Sequence, residues 1–381
     1  MATDQASAPA PVPHRAPTGT TSLPGRAAAR QPLSRIGARA IVLIERPTSL
    51  YAAAVLRIGY GLLYLVFLLR EFPHREEIWG PGSPWTPGLA RQLFDQTGWA
   101  SILTLSDSPA YFEACYVLAV VTAALFLLGW RTRATSLLFA AVVASFHARA
   151  IFMTDGGDNV ILLMAVYLTC TACGRCWSLD ARRTRRRISA RPADTPPASV
   201  GEPGCHQLTS SRGLLVTVLH NCGMFVIAAQ VCFLYGSAGL YKVQGGSWGN
   251  GTALHYVLNL DLFRPWPALS DMLDSHQIFV AVASYLTVLL QVAFSFVLFG
   301  RLKYIVLVTL LGMHAGIAVL LGLPLFSGAM IVADAVFLPD RFYESLGQLW
   351  RRTVRRDAAL GRAPFSGADA PLVPPQTGSA G

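Results

Sequence analysis

The chain has 381 residues, of which 53% are hydrophobic and only 14% are charged, and its formal net charge is +10. A soluble protein of this length needs more charged surface, whereas apolar runs of about 20 residues are what cross a lipid bilayer. Arginines in short blocks between such runs favour loops that face an anionic membrane leaflet over a nucleic-acid-binding surface. The sequence therefore predicts an all-α, polytopic membrane protein that contacts the lipid bilayer and no nucleic acid.

The N-terminal segment, residues 1–40, is rich in Ala, Pro and Arg and has no early apolar core. This composition is typical of a disordered tail and not of a signal peptide. We therefore expect the first apolar run to direct insertion into the membrane, with residues 1–40 left in the cytoplasm.

Eight apolar runs follow this tail. They cover approximately residues 50–70, 111–130, 134–153, 158–177, 213–237, 277–299, 303–322 and 325–338. An arginine-rich stretch at 178–212 predicts a cytoplasmic linker between two four-helix halves, residues 50–177 and 213–338. Each half ends with a helix hairpin whose incoming helix carries a histidine, His147 or His314, a pattern compatible with a distant repeat.

Basic residues fall in alternate loops between the runs. Arg131 and Arg133 separate the second run from the third, Arg301 and Lys303 separate the sixth from the seventh, and the intervening loops are acidic or neutral. Eight spans place every basic loop on one side of the membrane, as the positive-inside rule requires. The pattern predicts a multi-pass protein of the cell membrane with both termini in the cytoplasm.

The C-terminal segment, residues 340–381, is basic near the last run and then rich in Pro, Gly and Ala. Within it, Phe342, Leu346, Leu349 and Trp350 fall at helical spacing. This spacing predicts a cytoplasmic tail that begins with a short amphipathic helix lying on the inner leaflet.

Placing a polar side chain inside the hydrocarbon core costs free energy, so each such residue requires a structural or functional explanation. Arg149, Asp155, Asp158 and Asn159 surround the outer end of the third and fourth runs, whereas His314 lies near the middle of the seventh run and His147 at a comparable depth. An outward-opening polar cavity could gather these groups. The alternatives are structural: Asp158 and Asn159 could cap the fourth helix, Arg149 could pair with Asp158, and the histidines could hydrogen-bond between helices.

Lys242 ends the fifth run on the same outer side, in the segment YGSAGLYKVQGGSW that also contains Tyr241 and Trp248. Gly236 and Gly239 of this segment would let another helix approach closely. Lysine, unlike arginine, can release its proton when it is desolvated, so Lys242 could act as a general base. The alternative is a lysine that snorkels to the membrane interface.

Cys170, Cys173 and Cys176 form a C-x-x-C-x-x-C sequence, with Cys205 and His206 downstream. Metal sites of this type usually come as two firm pairs of ligands. Here Cys170 lies within an apolar run and Cys205 lies in the linker. A thiol in or beside an apolar run packs as a small hydrophobic group. We therefore expect no metal.

Four segments together resemble the horizontally transferred transmembrane (HTTM) domain, which is shared with the membrane part of vitamin K-dependent gamma-carboxylases. They are LRIGYGLLYLV in the first run, DGGDN (155–159), YGSAGLYKVQGGSW with the following GTAL (235–254), and MHAGIAVLLGLPLFSGAMI (313–331). The order and spacing of these segments carry the resemblance. The chain is also similar to bacterial sporulation-delaying peptide accessory proteins, which carry the same domain.

The resemblance implies a cofactor and a role for Lys242. In the carboxylases, the matching lysine deprotonates a reduced quinone of the vitamin K or menaquinol type, and the product of its reaction with oxygen removes a proton from a glutamyl substrate. His314 matches a histidine of the seventh helix and would lie near the quinone. The carboxylases also have a large extramembrane domain that recognises a protein substrate, and this chain has only tails and modest loops, so a peptide or a small molecule is the expected substrate.

Three hypotheses follow. The first is a carboxylase-like or epoxidase-like membrane enzyme whose catalytic residues are Lys242, His314 and His147. Its quinone or substrate cavity would be lined by Arg149, Asp158, Asn159, Trp248 and Tyr241. The second is a non-catalytic accessory protein for maturation, export or immunity of a secreted peptide. The third is a transporter or channel, which the absence of a run of paired charges inside the spans disfavours.

Overall fold

A computed structural model describes residues 46–190, 203–298 and 300–349. The predicted disordered tail at 1–40, the end of the C-terminal segment and Trp350 lie outside these residues. In the part of the chain that is described, all regular secondary structure is helical, which confirms the all-α prediction.

Five helices are long and apolar enough to cross a membrane. They are α1 (Leu50–Arg70), α4 (Pro109–Leu128), α8 (Pro203–Val243), α12 (Gln277–Val297) and α13 (Leu302–Leu320). Helix α8 has 41 residues, about 62 Å at 1.5 Å per residue, so it extends well beyond the roughly 30 Å of a hydrocarbon core. Large apolar side chains such as Val66, Phe225 and Phe296 face outward. These are the features of an integral membrane protein.

Three further helices coincide with predicted spans without meeting the same length and composition limits. They are α5 (Thr132–Arg149), α6 (Gly156–Thr169) and α14 (Pro324–Asp334), the last continued by a 3-10 turn at Ala335–Phe337. Helix α5 carries an arginine near each end. Helices α6 and α14 have 14 and 11 residues, about 21 and 17 Å, less than a bilayer core. The count of eight spans therefore remains a prediction.

Short helices lie between the longer ones or, in the case of α15, follow them. They are α2 (Arg75–Trp79), α3 (Pro87–Thr97), α7 (Leu179–Ser189), α9 (Gly246–Gly249), α10 (Ala253–Leu258), α11 (Pro267–Asp274) and α15 (340–349), with 3-10 turns at Phe72–His74, Ile102–Thr104, Ile151–Met153 and Asp261–Phe263. Helix α15 falls where the amphipathic helix was predicted, and it exposes Phe342, Leu346 and Leu349.

Helix α1 lies at the centre of the bundle because small residues line it. A Cβ atom on Gly61 would come within 3.0 Å of the Leu127 backbone, so α1 and α4 approach closely there. On its other side, the Tyr60 hydroxyl donates a hydrogen bond to the carbonyl of Ala329, 2.9 Å away in α14. Helix α14 therefore packs against α1, so contacts join the two predicted halves.

One end of the bundle, which we call the basic end, holds the start of α1, the α4–α5 turn, the end of α6 and α7. The buried guanidinium of Arg57 donates hydrogen bonds to the carbonyls of Phe126 (3.0 Å), Leu127 (2.7 Å) and Trp177 (2.7 Å). Carbonyls at a helix end lack partners within the helix. Arg57 therefore fastens the end of α4 to the chain that follows α6.

Asp180 of α7 closes the same end by accepting hydrogen bonds from the backbone N–H groups of Arg131 (3.0 Å) and Thr132 (2.7 Å). Burial raises the pKa of the Asp180 carboxyl, but hydrogen bonds from Thr132 and Arg131 outweigh it and hold the pKa below its ordinary value. The carboxylate caps the start of α5.

The opposite end holds the ends of α1, α5 and α13 and the starts of α4, α6 and α14. Helix α8 runs between the two ends. The imidazole of its His220 lies 2.7 Å from the Thr48 carbonyl at the basic end, and Lys242 lies about 33 Å further along the helix axis. Lys242 and the DGGDN turn are therefore at the same end of the molecule, as the order of the runs predicts.

Candidate functional site

A cavity of about 260 Å³ opens at the opposite end, between α1, α2, α5, α6 and the turn that precedes α14. Its wall combines aromatic rings with polar groups. The lining residues that matter below are Tyr64, Phe67, Trp79, Phe146, His147 and Asp158. Trp79 packs edge-on against both Phe67 and Phe146, with ring centroids 5.7 and 5.5 Å apart. These rings give the cavity an aromatic wall that suits a flat apolar group.

Two polar atoms of the lining residues are buried and have no hydrogen-bond partner within the described residues: Nδ1 of His147 and the hydroxyl of Tyr64. Leaving a buried donor or acceptor unpaired costs roughly 1–3 kcal/mol. Both atoms are enclosed by the packing around them, with less than 1 Å² of each accessible to solvent. Sequence reasoning missed Tyr64, since a tyrosine in an apolar run gives no signal of its own.

The DGGDN turn forms a capping box at the start of α6. Asp155 accepts hydrogen bonds from the backbone N–H groups of Gly157 (2.6 Å) and Asp158 (3.0 Å), and Asp158 accepts one from the N–H of Asp155 (2.9 Å). Asn159 donates to the Asp155 carbonyl at 2.9 Å. The capping alternative is therefore confirmed. Asp158 in addition lines the cavity, whereas Asn159 is exposed.

Gly157 brings α6 against the start of α14. A Cβ atom there would lie 2.7 Å from the Cα of Phe326 and 2.9 Å from its backbone nitrogen. Only a glycine allows so close an approach. The two short helices thus begin beside each other, and the turn before α14 closes one side of the cavity.

Arg149 is fully buried but does not pair with Asp158. Its guanidinium donates one hydrogen bond, to the Gly80 carbonyl at 2.9 Å, and its Nε and second terminal nitrogen have no partner in the described part of the chain. Arg149 therefore fastens the end of α5 to the segment after α2, and it is not among the residues that line the cavity.

Lys242, Tyr241 and Trp248 form a separate group at the end of α8. The Lys242 ammonium lies 5.3 Å from the centroid of the Trp248 ring and 3.5 Å from the Ala238 carbonyl, and Tyr241 is exposed. A Cβ atom on Gly239 would come within 2.9 Å of the Val292 nitrogen, which confirms that a neighbouring helix approaches closely here. None of these residues lines the cavity.

His314 belongs to a buried polar network inside the bundle. Its Nε2 lies 3.0 Å from the hydroxyl of Tyr235, which donates a hydrogen bond to the Asp334 carboxyl at 2.9 Å. The network joins α8, α13 and α14. Asp334 stands out in the sequence as an acid inside an apolar run, whereas Tyr235 does not, because a buried tyrosine is ordinary in such a helix. His314 does not line the cavity, although its ring packs on Phe326 near the cavity's edge.

The structure thus separates the predicted site residues. His147 and Asp158 share one cavity, His314 is in a buried network, and Lys242 with its neighbours lies elsewhere at the same end. Of the predicted cysteine cluster, Cys170 is exposed and Cys173 is buried. No group of three or more His, Cys, Asp or Glu side chains is placed to hold a metal among the residues that the structure describes.

Comparison with known proteins gave no match: no family model, curated protein or solved structure matches the chain significantly. The resemblance to the HTTM domain therefore depends on the sequence segments alone.

Proposed function

We propose that the protein is a multi-pass membrane protein of the HTTM or carboxylase-like class whose cavity binds the ring of a reduced quinone. In this proposal α5, α6 and α14 complete eight membrane segments, because they pack among the five long helices and begin or end at the same two levels. The basic end faces the cytoplasm, since arginine-rich ends are retained on that side. The cavity then opens toward the outer face of the cell membrane.

The size of the cavity supports a small ligand. Its volume of about 260 Å³ lies just below the roughly 300–1,000 Å³ of pockets for drug-sized molecules. One flat ring system fits between the aromatic walls, while a long apolar tail would remain in contact with lipid. A folded peptide does not fit, which argues against glutamyl carboxylation of a protein substrate in this cavity.

The polar groups support a ligand that carries hydroxyls. His147 and Tyr64 line the cavity, and a ring hydroxyl that reached Nδ1 of His147 would donate a hydrogen bond and then its proton to it, while the Tyr64 hydroxyl would donate to a second ring oxygen. Asp158 adds a carboxylate that the capping box holds in place. When bound, a reduced quinone of the menaquinol or vitamin K type would supply electrons and hydroxyl protons for oxygen chemistry. We therefore propose His147 as the proton acceptor of this cavity.

This proposal changes the role expected for Lys242. Its ammonium lies over the Trp248 ring, outside the lining of the cavity, where it stabilises the α8–α9 connection. The presence of His147 and Tyr64 in one cavity, both unpaired, is the observation that carries the proposed function.

The test is binding of menadiol, a reduced two-ring naphthoquinone, to the full-length protein in lipid nanodiscs without oxygen. Binding is followed by quenching of tryptophan fluorescence. We expect His147→Ala to weaken binding at least tenfold and Tyr64→Phe about fivefold, as lost hydrogen bonds of about 1 kcal/mol or more predict. Lys242→Ala and His314→Ala, matched changes outside the cavity, should alter the affinity less than twofold.

Two results would contradict the proposal: no saturable binding by the wild type, or an equal loss of binding in Lys242→Ala. A second step separates the enzyme from the accessory protein. Oxygen is admitted to the menadiol complex and the quinone products are separated. An epoxide product that disappears in His147→Ala supports an enzyme, whereas binding without turnover supports the accessory role.

A further inference from the structure

A second, larger cavity of about 820 Å³ lies at the basic end. It is open to solvent and is bordered by the start of α1, the α4–α5 turn, the end of α6 and helix α7. Four arginines line it: Arg131, Arg133, Arg175 and Arg185. They come from three separate segments of the chain, so the folded protein, and not a local run of basic residues, gathers them around one space.

The lining carries four guanidinium groups and one carboxylate, so its net charge is positive. None of the four guanidinium groups forms an ion pair or a hydrogen bond within the described residues. The one acid in the lining, Asp180, accepts three hydrogen bonds, from the Arg131 nitrogen and from the nitrogen and hydroxyl of Thr132. Its carboxylate is thus held in the cap on α5 and pairs with none of the four guanidinium groups, which leaves their N–H donors for an external anion.

The remaining lining combines three threonines with apolar or small residues. Leu50, Ala134, Ala172 and Ala181 line the cavity together with the arginines. Leu50 is the first residue of α1, a helix with the length and apolar composition of a membrane span, so this cavity lies at the level where the apolar part of the bundle ends. A ligand at this level meets positive charge and apolar surface together.

We propose that this cavity binds the phosphate headgroup of an anionic phospholipid. Arginine is the side chain best suited to a phosphate, because its planar group donates two parallel hydrogen bonds. The volume exceeds what one phosphate ion fills and accommodates a headgroup with its glycerol, whose chains would continue along the apolar surface beside α1. The proposal requires only that the protein lies in a membrane, and it is independent of the quinone site at the other end.

The test compares two charge-matched triple variants of the full-length protein. The cavity variant replaces Arg133, Arg175 and Arg185 with glutamine. The control variant replaces Arg182, Arg186 and Arg187, which are exposed on the same region of α7 and do not line the cavity. Arg131 is left in place because its backbone has a positive φ of 44° and takes part in the cap on α5.

Each detergent-purified protein is titrated with phosphatidylglycerol or phosphatidylcholine, and native mass spectrometry counts the bound lipid. The wild type and the control variant should retain phosphatidylglycerol in preference to phosphatidylcholine. The cavity variant should bind phosphatidylglycerol about a hundredfold more weakly, since basic residues near an anionic headgroup contribute on the order of 1 kcal/mol each, which is about fivefold per residue. If the cavity variant does not fold, Arg185→Gln alone should give a two- to fivefold loss.

Equal losses in the two triple variants would overturn the proposal, because they would mean that overall charge, and not the cavity, holds the lipid. Inorganic phosphate at millimolar concentration provides the other control. Retention of phosphatidylglycerol in its presence supports a lipid site. Complete displacement would show a site for free phosphate and overturn the assignment to a lipid.

Discussion

The hairpins α5–α6 and α13–α14 have the same plan but use their histidines differently. Each consists of a long helix with one histidine, a short turn and a short apolar helix. In the first, His147 lines a cavity and its Nδ1 has no partner in the described residues. In the second, His314 lies 3.0 Å from the Tyr235 hydroxyl inside a packed network. One histidine is available to a ligand, and the other links helices.

The difference arises from the position of each histidine along its helix. His147 lies in the last turn of α5, which ends at Arg149, whereas His314 lies about 9 Å before the end of α13 at Leu320. A side chain in the last turn of a helix lies beside the segment that connects to the next helix, where space is left open. A side chain further inside the helix packs against the neighbouring helices. The comparison teaches that equal patterns in sequence do not give equal surroundings when the helix ends differ.

The largest expected effect tests the network around His314. Tyr235→Phe removes two hydrogen bonds and leaves the buried Asp334 carboxyl without its donor, so we expect the free energy of unfolding to fall by about 2–3 kcal/mol. Tyr64→Phe, at a tyrosine equally buried but without a partner, should change it by less than about 0.5 kcal/mol. Denaturant unfolding in detergent measures both. Similar losses in the two variants would remove the distinction between network and cavity.

The contact that joins the two hairpins comes next. Gly157→Ala places a methyl group 2.7 Å from the Cα of Phe326, and this overlap should destabilise the protein by about 2 kcal/mol. Gly156→Ala is the matched control, because its Cβ would meet the Phe326 ring at 3.4 Å, an ordinary contact. The control should be neutral or slightly stabilising. Thermal unfolding of both variants decides whether α6 and α14 meet as described.

The two histidines themselves give a smaller effect. His314→Leu should lower the free energy of unfolding by about 1 kcal/mol, because Tyr235 loses one partner but keeps Asp334. His147→Leu should leave stability unchanged or raise it, since it removes a buried nitrogen that has no partner in the described residues. Unfolding curves without added ligand test this, and a larger loss in His147→Leu would show that His147 is the structural residue.

The smallest effect concerns the cap on α6. Asp155→Ala removes the side chain that accepts hydrogen bonds from Gly157 and Asp158, and such caps contribute about 0.5–1 kcal/mol. Asp95→Ala, at an exposed acid of α3, is the control and should have no measurable effect. If Asp155→Ala weakens menadiol binding while leaving stability intact, the turn acts on the cavity and is more than a cap.

Much of the fold was predictable because apolar length is a local property. The runs at 50–70, 111–130, 277–299 and 303–322 became α1, α4, α12 and α13 within about two residues at each end. Helix boundaries were less predictable where a helix extends into a polar segment, or where a helix ends before its apolar run does. Helix α8 begins at Pro203, inside the predicted linker, and α6 ends at Thr169, although its apolar run continues to 177.

The candidate site was predictable only in part. Depth along a helix can be counted from sequence, so Asp158 and Lys242 were expected at the end of the bundle where they lie. His147 was expected near the middle of the membrane, at the depth of His314, but it lies in the last turn of α5. Direction around the helix axis depends on which neighbour each face meets, and this places Lys242 on Trp248 and not in the cavity. Tyr64 and Tyr235 were missed for the same reason, since their hydroxyls differ only in whether a neighbouring helix offers a partner.

The sequence by itself determined the helical class, the lengths of the apolar helices and the collection of arginine at one end, because these follow from local composition and from the cost of charge in a bilayer. Tertiary structure decided which polar groups share a space. It placed His147 and Asp158 beside a cavity, joined His314 to Tyr235 and Asp334, and gathered four arginines from distant segments. The physical reason is that hydrogen bonds and cavities depend on distances of a few ångströms between helices, which close packing fixes and composition does not.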